Sequence, residues 1–132
     1  MGETSMANKY HNPKSVALAG KYSLGCEIAP GARVLFVAGQ VGLDGAGKLA
    51  DGIEAQCDQV WKNIGEVLKA ADMGYGDIVK ITSFLTDSRF IAANRASRDK
   101  VIKDPYPAST LLIIQGLADP AMLVEIEVVA AK

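Results

Sequence analysis

The run MLVEIEVVA, residues 122–130, alternates with a period of two, so Met122, Val124, Ile126 and Val128 share one face and Leu123, Glu125, Glu127 and Val129 the other. It reads as a strand with one dry face and one face on which two carboxylates stand among aliphatic side chains. Before it, STLLIIQ at 109–115 is another strand, set apart by the breakers from Gly116 to Pro120. Pro105 and Pro107 stop a helix that starts at Asp87 or Ser88 as cap and runs to about Lys103. A β-branched strand from Ile78 to Leu85 precedes that helix. Further back, Ile53, Cys57, Val60, Ile64, Val67 and Ala71 step by three and four, as one helix face demands. The glycine-broken loop VGLDGAGK at 41–48 separates this helix from two strands, 22–28 and 33–38, expected to pair across the turn Ala29-Pro30-Gly31. The order is ββαβαββ, an α+β domain over 13–132 behind a polar tail at 1–12, with no internal repeat.

Val34-Leu35-Phe36-Val37 and Leu111-Leu112-Ile113-Ile114 are apolar on both faces. Two helices packed on one face leave the other bare, which predicts a homo-oligomer that buries it.

The chain has 132 residues, the size of one domain, and 14 Lys plus Arg against 15 Asp plus Glu leave a net charge of −1. Without a basic excess, no nucleic-acid partner is expected. Cys26 and Cys57 are too few and too far apart for a disulfide scaffold or for CxxC metal spacing, so a reducing compartment is expected. No apolar run reaches about 20 residues and the opening MGETSMANKY has no signal-like apolar stretch, so the expectation is a cytoplasmic protein without membrane contact. Gly2 is not read as a myristoylation site, because Met6 stands where Ser or Thr is required, and Met6 itself can serve as an alternative start.

Chemistry is expected where polar residues occupy positions the pattern reserves for apolar ones. Glu125 can act as a general acid or base, or orient a water, at a pocket mouth; the plain alternative is an edge strand with a wet face. Phe90, Asn94, Ser97 and Val101 form the inward stripe of the second helix, so Asn94 is a buried amide that holds either a ligand or a neighbouring strand. Ser109 and Thr110 open a strand, where hydroxyls can face a cleft or simply finish the strand end. His11, the single histidine, leaves no material for a triad or a His-rich metal site. Cys57 and Trp61 read as core, Cys26 has no neighbouring base, and the basic run Arg89, Arg95, Arg98, Lys100 and Lys103 reads as a solvated face.

An ordered set of motifs from Asn12 to Ala131 resembles the reactive intermediate deaminase family, RidA/YjgF: Gly39-Gln40, Asn63-Ile64 with Leu68, Asp77-Ile78-Val79-Lys80, Asp87 with Phe90 and Asn94, Pro107-Ala108, and Val124-Glu125-Ile126-Glu127. The resemblance implies a chorismate-mutase-like α+β fold and a homotrimer with small-molecule clefts between subunits. It also implies hydrolysis of enamines and imines, such as 2-aminoacrylate and its imine, to a 2-keto acid and ammonia without metal or cofactor. By motif, Glu125 matches the family's water-positioning glutamate, Tyr22 its cleft tyrosine and Asn94 its helix asparagine, with Ala38, Gly39, Phe90, Ser109 and Thr110 as further binding positions.

The departures concern the grip on substrate. The family's deaminases read Pro-Ala-Arg-Ser where this chain reads Pro107-Ala108-Ser109-Thr110, so the carboxylate-binding arginine is Ser109. Ala38 replaces a hydroxyl before Gly39-Gln40, and Gly20-Lys21-Tyr22 replaces Gly-Pro-Tyr. Weak turnover of α-imino acids and a gain on Ser109→Arg are expected. A non-catalytic ligand-binding or regulatory trimer stays open beside the deaminase, while the ribonuclease label sometimes given to the family sits poorly with the acidic balance.

Overall fold

The structure is a computed structural model that describes residues 7–132, so the readings of Gly2 and Met6 lie outside the described residues. In chain order the elements are β1 (Lys9–His11), β2 (Gly25–Glu27), β3 (Val34–Gln40), α1 (Ile53–Ala70), β4 (Ile78–Leu85), α2 (Ile91–Asp99), β5 (Ala108–Ile113) and β6 (Val124–Ala131). The main sheet has the order β3-β6-β4-β5, with β6 antiparallel to both of its neighbours and β4 parallel to β5. A parallel pair needs a crossover, and α2 provides it.

β6 earns its central place by alternation: Val124, Ile126, Val128 and Ala130 are buried, Glu125 is half-buried and Glu127 exposed. On the buried side α1 packs against β3 and β6, and Val37, Ile81 and Val128 join its stripe in one core. The opposite side is bare: Phe36 is 78% exposed, and Val34 and Leu112 are exposed with it. The sheet is therefore apolar on both faces and helix-covered on one.

Residues 22–28 and 33–38 do not form the expected hairpin. Gly25–Glu27 pairs instead with Lys9–His11, inside the stretch read as a tail, through Lys9↔Glu27, Tyr10↔Cys26 and His11↔Gly25. β3 pairs with the eight-residue β6, a longer partner than the three residues of β2. Arg33 and Lys132 exchange both backbone hydrogen bonds, at 2.9 and 3.0 Å, and close that pairing at its end.

The helices follow the predicted stripes with two adjustments. In α1 the fifth core position is Leu68, four residues after Ile64, and Val67 turns outward, because 3.6 residues per turn carries the face one position further on. α2 ends at Asp99, four residues before Lys103, and the turn that follows sends Ile102 into the core while Lys103 Nζ donates to Asp99 O at 2.6 Å. Asp87 caps the 3₁₀ turn leading into α2 by accepting from Arg89 N–H at 2.8 Å. Ser97 Oγ donates to Asp58 Oδ1 at 2.6 Å, tying α2 to α1.

Gln56 joins three segments that no periodicity connects. Its Nε2 donates to Ala50 O and Ala121 O at 3.1 and 2.9 Å, and its Oε1 accepts from Leu123 N–H at 2.9 Å. Gly42 lets this happen, since a methyl there would come 2.8 Å from Gln56 Cα.

Candidate functional site

Tyr22, Asn94 and Ser109 come together. A backbone hydrogen bond from Ser23 N to Pro107 O at 3.0 Å and the bridge Ser23↔Ala108 lay the Tyr22–Ser23 segment along the free edge of β5. Parallel register sets Ile81 beside Ser109 and Ser83 beside Leu111, and these side chains point to the helix side. There α2 presents Asn94, only 3% exposed, whose Oδ1 has no hydrogen-bond partner. The result is a recess of about 210 Å³ lined by Tyr22, Asn94 and Ser109, floored by Ser83 and Leu111, with Arg95 and Arg98 on the α2 side.

Glu125 is elsewhere. It sits opposite Phe84 on β4, on the bare face, while its neighbour Ile126 sits opposite Ser83 on the helix side. Its side chain lies over Gly39: a methyl on that glycine would stand 2.8 Å from the Glu125 carboxyl carbon and 3.1 Å from its Cγ. Gly39 is thus required where it is, to admit the carboxylate. Ala38 lines a shallow depression on the same face with Phe36, Glu127 and Val129.

Thr110 parts from Ser109. Strand alternation turns it to the bare face, where its Oγ1 accepts from Lys80 Nζ at 2.6 Å. Phe90 packs against the core from the start of α2 and does not line the recess. The predicted site residues therefore form two half-sites on opposite faces of one sheet, Tyr22, Asn94 and Ser109 on one side and Gly39 and Glu125 on the other.

Sequence reading missed the arginines. The solvated face holds for Arg89, Arg95, Lys100 and Lys103, all exposed, but not for Arg98, whose side chain is 14% exposed, and both Arg95 and Arg98 also line the recess. The signal was available: Arg98 follows Asn94 by four residues, so an inward Asn94 carries Arg98 on the same face one turn later. The remaining candidates behave as plain structure. Cys57 is fully buried, its thiol pushed up to about 12 by desolvation. Trp61 is buried edge-on to Tyr75 at 6.3 Å. His11 Nε2 lies 2.9 Å from Glu27 Oε1 on the surface. Among the described residues no three His, Cys, Asp or Glu side chains are grouped to hold a metal ion, and no helix is long and apolar enough to cross a membrane.

A mixed four-stranded sheet with two helices on one face, its candidate site residues divided across it, defines a class of small α+β proteins. Residues 13–132 match the family described as Endoribonuclease L-PSP. The chain is 35% identical over 124 residues to a RutC family protein of Aquifex aeolicus, covering 91% of this chain and 95% of that one. It is 31% identical over 121 residues to the 2-iminobutanoate/2-iminopropanoate deaminase of Mus musculus, covering 90% and 87%. The crystal structure of the Rid-family protein YyfB from Yersinia pestis superposes with a TM-score of 0.82 at 28% identity, over 96% of this chain and all of that one. The chain belongs to the RidA/YjgF family.

Proposed function

We propose that this protein assembles as a homotrimer through the bare face of its sheet and that the clefts between subunits hydrolyse small imines or enamines to keto compounds and ammonia. The observation that carries the reading is the division of the site. One chain holds Tyr22, Asn94 and Ser109 on the helix side and Glu125 over Gly39 on the other side, so a cleft containing both needs two copies. The exposed Phe36, Val34 and Leu112 supply the apolar area for such a contact.

The chemistry needs little more than placement. Glu125 orients a water and accepts its proton as the oxygen adds to the C=N carbon. Passing that proton to nitrogen gives a carbinolamine; Glu125 then carries the hydroxyl proton to the nitrogen as the C–N bond breaks, leaving a carbonyl and releasing ammonia. Residues 13–132 match a family with relatives named as iminobutanoate deaminases, which fits this reaction class.

The test generates 2-iminobutyrate in situ and follows its loss. Hydrolysis above the protein-free rate is expected for the wild type and should fall at least about a hundredfold in Glu125→Gln, on the scale of removing a general base. A wild-type rate equal to buffer sinks the reading. Ser109 favours a second one, since a neutral hydroxyl on β5 grips a carboxylate poorly: a trimer that binds small ligands in the same clefts without turning them over. Saturable ligand binding with no imine loss selects it.

A further inference from the structure

A second groove, of about 340 Å³, lies between α1 and the end of α2 and shares no residue with the recess that holds Tyr22, Asn94 and Ser109. Its wall includes Trp61, the single tryptophan of the chain. Trp61 is 2% exposed, and its indole Nε1 is buried without a hydrogen-bond partner. An indole N–H can only donate, and buried donors are nearly always paired, so this one marks the position of a missing acceptor. The ring is held where it is. Tyr75 stands edge-on to it at 6.3 Å and donates from its hydroxyl to Trp61 O at 2.7 Å. Gly65 makes room for Tyr75, since a methyl there would come 2.9 Å from Tyr75 Cζ.

The charges around the groove do not cancel. Asp58 accepts from Ser97 Oγ at 2.6 Å and from Lys100 Nζ at 3.1 Å on both oxygens, so that carboxylate is filled from within the chain. Lys62 also lines the groove, is exposed, and makes no hydrogen bond or ion pair among the described residues. Glu66, whose charge is felt by Tyr75, does not line it. One cation and one donor are thus left over, and both call for an acceptor that carries negative charge. Val101 and the rings of Trp61 and Tyr75 give the groove an apolar wall suited to another ring. Its volume is at the lower end for small-molecule sites, which begin at about 300 Å³. Exposed side chains such as Lys62 change rotamer within nanoseconds, so the rim gives way to a ligand approaching the indole edge.

We propose that this groove binds a small aromatic monocarboxylate, one oxygen accepting from Trp61 Nε1–H and the other pairing with Lys62 Nζ, with the ligand's ring against Tyr75 and Val101. The site is independent of the imine chemistry, since Gly39, Asn94, Ser109 and Glu125 all lie outside it.

With one tryptophan in the chain, the indole N–H gives a single peak in a proton–nitrogen NMR spectrum of the whole protein. Phenylacetate should move that peak to saturation. Phenylacetamide, of the same shape but neutral, should bind at least about fivefold more weakly. Lys62→Gln, a surface change that leaves the fold intact, should weaken phenylacetate at least about threefold and leave phenylacetamide unaffected. Lys69→Gln, on the same helix and outside the groove, should change neither affinity. Trp61→Phe keeps a ring without an N–H and should weaken phenylacetate at least about fivefold, read at the Val101 amide. An indole peak unmoved by phenylacetate overturns the proposal, as does equal phenylacetate affinity in wild type and Lys62→Gln. Phenylacetamide binding as tightly as phenylacetate overturns the carboxylate assignment. Saturable shifts confined to Asn94 and Ser109 would put phenylacetate in the other recess and overturn the groove.

Discussion

Gln56 and Gly39 show how single positions hold this molecule together. Gln56→Ala removes three hydrogen bonds and leaves the Leu123 N–H unpaired beside the entry to β6. It should cost about 2–4 kcal/mol in urea unfolding, the range for a buried polar network cut open. At Gly39, Gly39→Ala drives a methyl against Glu125, so it should displace the carboxylate and lower imine turnover with little change in the denaturation midpoint. The cysteines differ by burial: with its thiol held near 12, Cys57 should resist alkylation at pH 8 until the protein unfolds, while the half-buried Cys26 reacts first, as peptide mass mapping would read. Inward positions such as Asn94 and Cys57 were legible because helical spacing names a face. Gln56 was not, because a polar residue next to an apolar stripe looks solvated until the loops it ties are folded over it.

At the scale of elements, α1 and α2 are joined by Ser97, Asp58 and Lys100. The hydrogen bond from Ser97, helped by Lys100, holds the Asp58 carboxyl below its ordinary value, against slight burial. A carboxylate with a lowered folded-state pKa stabilises the fold above the unfolded value of about 4 and loses that contribution as pH falls through the folded value. Ser97→Ala should therefore cost about 1 kcal/mol at pH 7, and the gap between variant and wild type should narrow below about pH 4 in chemical denaturation. Among the described residues, periodicity located five of the six strands and both α-helices. It could not assign partners: Val34–Val37 looks the same whether it pairs with Gly25–Glu27 or with β6, and only the chain-wide register decides. β1, three residues long, carries too little pattern to read.

For the whole molecule, the bare sheet face is the feature with most at stake. If copies meet there, the wild type should sediment at about three times 13.9 kDa, and Phe36→Asp should yield smaller species, since a charge replaces the most exposed aromatic side chain. That face was foreseeable from strands apolar on both sides. The division of the site was foreseeable only in part. Alternation separates Glu125 from Ile126 within a strand, whereas the relation between Glu125 and Asn94 depends on which side the helices take.

That relation has a genetic signature. Subunits carrying Asn94→Ala and subunits carrying Glu125→Gln are each expected to be inert alone. If the protein is the proposed trimer, unfolding the two together and refolding them would let about a quarter of the seams join an intact asparagine to an intact glutamate donated by a different polypeptide, and activity should return in that proportion.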